Sequence, residues 1–167
     1  MALTLIVSIA FQPKDSWADA AQALATPAGN VILQLTGSIS QTNDGQSAAF
    51  DAQMLQALPQ VTIETGNPWT DGVHSYQGPL LKDVLSVVGA NGTTLEVIAL
   101  NDYAATVPVE DAQADGPILA HSRDGKPMRI RDKGPLMLVY PFDDNPSLDN
   151  EIYYSRSVWQ IKHITVQ

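Results

Sequence analysis

The clearest helical pattern in this sequence is Gly78-Pro79-Leu80-Leu81-Lys82-Asp83-Val84-Leu85-Ser86-Val87-Val88-Gly89. Its proline suits a first helical turn, and its last glycine suits the position just beyond a helix. The apolar side chains between them recur on one face at helical spacing: Leu80, Leu81, Val84, Leu85 and Val88. The segment therefore predicts an amphipathic helix that ends at Gly89 and covers an apolar surface.

Short strand patterns lie on both sides of this helix. They are rich in β-branched or apolar residues and are bounded by turn residues. The predicted strands are residues 31–36, 61–64, 95–100, 106–109, 136–140 and 158–166. No glycine-rich phosphate loop follows any of them, which argues against a nucleotide-binding fold. The order of elements predicts an α+β, β-rich mixed sheet with a few short helices.

Two further helices and one hairpin are predicted. Ser47 is the expected cap of a helix that stops before Pro59 and whose apolar residues are Phe50, Met54, Leu55 and Leu58. Residues 109–114 predict a short acidic helix. Asp124-Gly125 predicts a hairpin turn between residues 118–122 and 128–130.

The composition indicates a single domain over residues 21–167. The chain has 167 residues, of which 44% are hydrophobic, enough for one core but too few for two. Lys and Arg number 9 and Asp and Glu number 18, so the net charge of −9 argues against binding to nucleic acid. The sequence contains no cysteine, which excludes disulfides, thiolate nucleophiles and cysteine-ligated metals.

Residues 1–20 are typical of a secretory signal peptide. Residues 2–11 form an apolar run, and Ala18-Asp19-Ala20 matches a small-residue cleavage site. The basic residues that usually precede such a run are missing, and a buried first strand is the alternative. We expect cleavage near Ala20, export to the periplasm and no membrane insertion of the mature domain, since no other stretch approaches a membrane span in length.

Three ordered motifs extend from the central helix towards the C-terminus: Tyr76-Gln77-Gly78-Pro79-Leu80-Leu81-Lys82-Asp83-Val84-Leu85, Asn101-Asp102-Tyr103-Ala104-Ala105-Thr106-Val107-Pro108 and Gly134-Pro135-Leu136-Met137-Leu138-Val139-Tyr140-Pro141. Segments at 55–65, 118–128 and 156–162 continue the series. Together they resemble the sulfite-oxidase-type molybdopterin-binding domain over almost all of residues 31–166. The resemblance implies a mixed, barrel-like sheet with a few short helices.

The resemblance also implies a ligand. In catalytic members of that family a cysteine after the strand matched by residues 61–64 binds molybdenum, whereas this chain has Thr65-Gly66-Asn67-Pro68-Trp69 there. A threonine hydroxyl does not replace a soft thiolate, so a molybdenum cofactor is not expected. The chain is more similar to small, exported, cysteine-lacking members that bind free reduced pterins resembling neopterin or monapterin. Those members act as periplasmic partners of a membrane-bound sensor that controls cyclic-di-GMP.

A flat pterin needs an apolar plate and polar groups in the plane of its ring. Trp69 is the predicted plate, because the residues around it favour a turn rather than a strand. Asp102 is the predicted acceptor for the N–H edge, with Asn101 as a neutral partner and Tyr103 as a stacking residue. The alternatives are that Trp69 only anchors a loop and that Asn101 and Asp102 only form a turn.

The C-terminal part of the chain supplies further candidates. Tyr140 and Phe142 follow an apolar strand and are expected at the rim of a pocket. Trp159 is expected in the core. The predicted site is completed by Tyr154, Arg156 and Ser157, with Arg156 as a forked donor to the ligand or, alternatively, as half of a surface ion pair.

Two other interpretations of the whole chain stay open. One is a molybdopterin-dependent oxidoreductase with a non-cysteine metal site, and the other is a structural domain with a vestigial pocket. No pair of histidines has metal-ligand spacing, and no serine hydrolase motif is present. The sequence therefore favours a pterin-binding protein that is not an enzyme.

Overall fold

The computed structural model describes residues 23–113 and 115–167. The predicted signal peptide and its cleavage site lie outside these residues, as does Ala114 at the end of the predicted acidic helix. The strands are β1 (Val31–Gly37), β2 (Ala48–Asp51), β3 (Gln60–Asn67), β4 (Thr70–Pro79), β5 (Thr94–Ala99), β6 (Ala104–Pro108), β7 (Ile118–Ala120), β8 (Ser122–Arg123), β9 (Lys126–Pro127), β10 (Met137–Val139) and β11 (Ile161–Val166). The α-helices are α1 (Ala52–Ala57), α2 (Leu81–Val87) and α3 (Glu151–Arg156).

The largest sheet has five strands in the order β2-β1-β11-β5-β6. β1 lies parallel to β11, with Gln34 opposite His163, and the other pairings in this sheet are antiparallel. The Thr36 Oγ1 and His163 Nε2 atoms are 2.9 Å apart across the parallel pair. The last strand of the chain therefore lies in the middle of the sheet, between the first strand and β5.

Two smaller sheets complete the fold. One has four strands in the order β3-β4-β8-β9, and the other pairs β10 with β7. Isolated bridges from Leu80 to Ile118 and from Met137 to Trp159 connect the end of β4 to β7 and β10 to the segment before β11. The three sheets are open at their edges and are connected to one another through these two bridges.

The main apolar core contains residues of α2 and of the five-stranded sheet. Its fully buried members include Leu33 and Leu35 of β1 and Leu81 and Val84 of α2. Full burial of one such side chain contributes about 1.5–3 kcal/mol. A second, smaller core lies under β3 and β4, around Ile63, Tyr76 and Met137.

Helix α2 confirms the helix predicted from the 78–89 pattern, but Pro79 does not lie in its first turn: Pro79 is the last residue of β4, and Leu80 is the N-cap. Leu81, Val84 and Leu85 are its buried residues. Gly89 follows its C-cap with a φ of 58°, the left-handed conformation that glycine adopts most easily. A Cβ atom there would lie 2.0 Å from Ser40 Oγ, so a larger residue would also have to displace the Ser40 hydroxyl.

The start of the first helix was predicted wrongly. Ser47 is not its cap, and Phe50 lies in β2 rather than in a helix. The cap is Asp51, whose Oδ1 accepts a hydrogen bond from the Met54 amide at 2.9 Å. Its Oδ2 accepts from the amides of Ala28 and Gly29 at 2.9 and 2.7 Å. A single carboxylate thus fixes the helix start and the segment before β1.

Other elements differ in extent from their predictions. The 124–125 hairpin is confirmed, with left-handed φ values of 51° at Asp124 and 71° at Gly125. β4 and α3 were not predicted, and the predicted strand 158–166 begins only at Ile161. α3 is capped by Asn150, whose Oδ1 accepts from the Ile152 amide at 3.0 Å.

Within residues 23–113 and 115–167, none of the helices has the length and apolar character needed to cross a membrane.

Asp51 gives a pH-dependent prediction. The Met54 and Gly29 amides lower the pKa of this carboxyl from its usual value. A group with a lowered native pKa stabilises the fold above its unfolded-state pKa, and this contribution is lost as the pH falls through the native value. Asp51→Asn should therefore reduce the free energy of unfolding at pH 7, and its difference from wild type should shrink below about pH 5. Urea denaturation at a series of pH values measures this.

The matched control is Asp44→Asn, which removes the same charge from an exposed turn residue. It should leave the free energy of unfolding at pH 7 close to that of the wild type. If Asp51→Asn behaves like Asp44→Asn at every pH, the charge of Asp51 does not contribute to stability.

Candidate functional site

A cavity of about 400 Å³ opens between the β3–β4 turn, the loop after β5 and helix α3. Four aromatic residues contribute to its lining: Trp69, Tyr103, Tyr154 and Trp159. Its polar lining includes Asn101, Ser155 and Ser157, and its charged lining residue is Glu151. Residues distant in sequence are therefore brought to one aromatic-walled pocket.

The turn that carries Trp69 is fixed by Asn67. Asn67 Oδ1 accepts hydrogen bonds from the Trp69 amide at 3.1 Å and from the Thr70 hydroxyl at 3.0 Å. Asn67 Nδ2 donates to the hydroxyl of the buried Tyr76 at 2.9 Å. The turn position predicted for Trp69 is confirmed, and the half-buried indole is held against the cavity by the four-stranded sheet below it.

The aromatic walls meet edge to face. The rings of Trp69 and Trp159 are 5.1 Å apart with planes at 69°, and those of Trp69 and Tyr154 are 6.0 Å apart at 75°. The ring of Phe142 packs against the ring of Tyr154, with the two centroids 5.4 Å apart. The Tyr154 hydroxyl donates to Asp149, and this hydrogen bond raises the pKa of the tyrosine. Such rings offer both π-faces and edges to a flat ligand.

The loop after β5 forms the opposite rim. Asn101 Oδ1 accepts from the Tyr103 amide at 3.2 Å, which leaves the Asn101 side-chain NH₂ without a partner among the described residues. The Tyr103 hydroxyl donates to the Ser155 carbonyl at 3.0 Å. Tyr103 thus connects this loop to α3 beside the cavity.

Asp102 does not line the cavity, contrary to its predicted role as the acceptor for the ligand. Its φ of 63° belongs to the turn between β5 and β6. Its Oδ1 pairs with Lys162 Nζ at 2.6 Å, and the side chain is 83% exposed. The hydrogen bond and the charge of Lys162 lower the pKa of Asp102. The turn alternative therefore describes this residue better.

Tyr140, Phe142 and Arg156 also lie outside the cavity lining, contrary to their predicted contact with a ligand. Tyr140 and Phe142 are buried in the main core. The Tyr140 hydroxyl donates to Asp111 Oδ2 at 2.8 Å, and burial, with Asp111 beside it, raises its pKa well above the usual value. Arg156 Nη1 donates to both Asp111 oxygens, at 3.1 and 3.0 Å. Arg156 is thus committed to an ion pair that anchors the end of α3.

Five of the nine predicted site residues line one cavity: Trp69, Asn101, Tyr103, Tyr154 and Ser157. Glu151 and Ser155 also line the cavity but were not predicted, because α3 was not predicted. Trp159 was expected in the core. Trp159 is half-buried, with Lys133 Nζ 4.3 Å from the ring centroid. Trp159 lies between α3 and β11. Its place in the cavity lining could have been predicted only if α3 had been predicted, because α3 forms the adjoining wall.

Thr65 stands in the segment where the resemblance would place a molybdenum-binding cysteine. It is fully buried, and its hydroxyl donates to the Gly66 carbonyl at 3.0 Å and accepts from the Asp143 amide at 3.3 Å. Asp143 Oδ2 in turn accepts from the Gly66 amide at 3.1 Å. As a metal ligand, this hydroxyl is hard and uncharged, and it is already engaged in two hydrogen bonds. These residues therefore do not fit molybdenum.

No cluster of three or more His, Cys, Asp or Glu suited to a metal ion occurs among the residues that the structure describes.

Comparison with known proteins relates the chain to others by fold. No protein-family model and no curated protein matches it by sequence. The chain is similar in structure to the sulfane dehydrogenase SoxCD from Paracoccus pantotrophus, with a TM-score of 0.59 and 17% sequence identity over 80% of this chain. It spans 37% of the length of that chain. The likeness confirms the predicted strand-rich α+β fold class.

The Asp111 network gives a stability prediction. The Asp111 side chain is 7% exposed, so Asp111→Ala leaves both the Tyr140 hydroxyl and Arg156 without their partner. It should lower the free energy of unfolding by about 2 kcal/mol. Urea denaturation followed by circular dichroism measures the change.

Asp102→Asn is the matched control, because it breaks an exposed ion pair, and surface pairs contribute little. It should unfold like the wild type. Equal destabilisation by the two variants would contradict the distinction drawn between Asp111 and Asp102.

Proposed function

We propose that this protein binds a reduced, neopterin-like or monapterin-like pterin in the aromatic cavity and is not an enzyme. The observation that carries the proposal is the convergence of Trp69, Tyr154 and Trp159 around one cavity of about 400 Å³. That volume lies within the usual range for small-ligand sites, which are mostly apolar with a few polar groups that orient the ligand.

The hydrogen-bonding groups of the lining also suit a reduced pterin. The hydroxyls of Ser155 and Ser157 already donate to backbone carbonyls, at 2.7 and 2.9 Å. A hydroxyl has one donor, so both oxygens are left as acceptors. Glu151 adds a carboxylate that accepts hydrogen bonds. A reduced pterin has more ring N–H groups than an oxidised one, and these can donate to the acceptors of the lining, while the Asn101 NH₂ group can donate to the ring carbonyl.

The non-catalytic part of the proposal rests on Thr65. Its buried hydroxyl is bonded to the backbone of Gly66 and Asp143 and does not line the cavity. The site therefore has walls for a flat heterocycle without the thiolate that the resemblance associates with molybdenum. We assign no chemical step to these residues.

The location and the partner are also part of the proposal. The resemblance and the Ala18-Asp19-Ala20 motif support export to the periplasm. The resemblance supports a membrane-bound regulator of cyclic-di-GMP whose periplasmic domain would recognise the pterin-loaded protein.

Trp69 variants test the binding site. Isothermal titration with reduced neopterin under anaerobic conditions should show saturable binding to the wild type. Trp69→Ala should weaken binding by about tenfold or more, because it removes a stacking surface. Trp69→Phe, which keeps an aromatic ring, should bind more tightly than Trp69→Ala. Thermal unfolding of each variant checks that the fold is retained.

Asp102→Asn is the control here too, since Asp102 lies outside the cavity lining. It should bind reduced neopterin as the wild type does. Absence of saturable heat with the wild type would contradict the proposed function. Molybdenum found in protein purified from a host that makes molybdopterin would instead support the oxidoreductase interpretation.

A further inference from the structure

We infer that the cavity selects pterins without a phosphate group, and that Glu151 is the residue that determines this selectivity. The inference rests on the proposed function and narrows its ligand class to pterins whose side chain is a neutral polyol. It follows from the charges and hydrogen-bonding capacity of the lining.

The lining lacks the groups that usually hold phosphate. Glu151 is its charged member, and no lysine or arginine contributes to the cavity wall. Proteins hold phosphate with arginine forks, lysine ammonium groups or clustered backbone N–H donors. A phosphate ester in this cavity would instead meet a carboxylate at short range. Like charges brought together in this way lower affinity.

Three cations on segments around the cavity are engaged with other groups in the described structure. Lys162 pairs with Asp102 at 2.6 Å, and Arg156 pairs with Asp111 at 3.0 Å. Lys133 lies over the ring of Trp159, with Nζ 4.3 Å from the centroid. None of the three contributes to the lining, so recruiting one to a phosphate would require breaking one of these contacts.

The uncharged polar groups favour the same ligands. Ser155 Oγ donates to the Ile152 carbonyl, Ser157 Oγ to the Tyr153 carbonyl and the Tyr103 hydroxyl to the Ser155 carbonyl. Their remaining capacity is as acceptors. Hydroxyl groups of a polyol side chain have protons to donate to these oxygens and to Glu151. A phosphate dianion has none. It could accept from the Asn101 NH₂ group, but it would meet the Glu151 carboxylate with no cation in the lining to offset the repulsion.

Glu151 can be changed with little effect on the fold. It is exposed and is the first residue of α3, whose start is capped by the Asn150 side chain. Glu151→Gln keeps the shape of the side chain and removes the charge. Glu151→Lys reverses the charge and should attract the phosphate that the wild type repels.

The experiment compares reduced neopterin with reduced neopterin monophosphate by anaerobic isothermal titration at two salt concentrations. The wild type should bind the unphosphorylated pterin at least about tenfold more tightly, and the ratio should fall at high salt. Glu151→Gln should reduce the ratio, and Glu151→Lys should reduce it further or invert it. Asp44→Asn removes an acidic charge outside the cavity lining and should leave the ratio unchanged.

The outcomes separate this inference from the proposed function. Equal affinity of the wild type for the two ligands, or a ratio that Glu151→Gln and Glu151→Lys both leave unchanged, overturns the inference while pterin binding stands. Binding of neither ligand overturns both. An equal effect of Asp44→Asn and Glu151→Gln would show that net charge, rather than Glu151, sets the selectivity.

Discussion

The shape of the candidate site depends on one buried carboxylate, Asp111. It accepts from the hydroxyl of Tyr140 in the main core and from the guanidinium of Arg156 at the end of α3. α3 has only six residues, too few to be stable as an isolated helix. Because α3 and the residues after it form one wall of the cavity, an interaction outside the lining helps to fix where that wall lies.

The regular elements were the part of the fold that the sequence could predict. The local sequence pattern predicted the observed element in three cases: β1, α2 and the Asp124-Gly125 hairpin. In each, the residues that the pattern places on the apolar face or in the turn have that position in the fold. Ser47 and Phe50 were misassigned because Asp51, a better cap, also binds the backbone of residues 28–29, a contact between distant segments. α3 has no fully buried residue, so its sequence carries no apolar stripe from which a helix could be recognised.

A site residue could be predicted from sequence when its side chain suits the ligand and its neighbours in sequence fix its position. Trp69 lies on a turn set by the residues beside it, and the structure places it in the cavity wall. Asp102 and Arg156 were reasonable ligands by residue type, yet each has an opposite charge from a distant element, Lys162 and Asp111. A sequence shows which side chains can bind a ligand but not which of them are already engaged. With those side chains engaged elsewhere, the cavity is lined by aromatic rings, acceptor oxygens, the Asn101 amide and the Glu151 carboxylate.

The proposed function requires that this aromatic cavity hold a flat, reduced heterocycle. A crystal structure of the protein grown anaerobically with reduced neopterin is the experiment that tests this requirement. We expect density for a bicyclic ring in contact with Trp69 and Trp159, with its polar edge facing the oxygens of α3. A complex in which the pterin lies elsewhere, or a cavity closed by the protein's own side chains at saturating pterin, would contradict it.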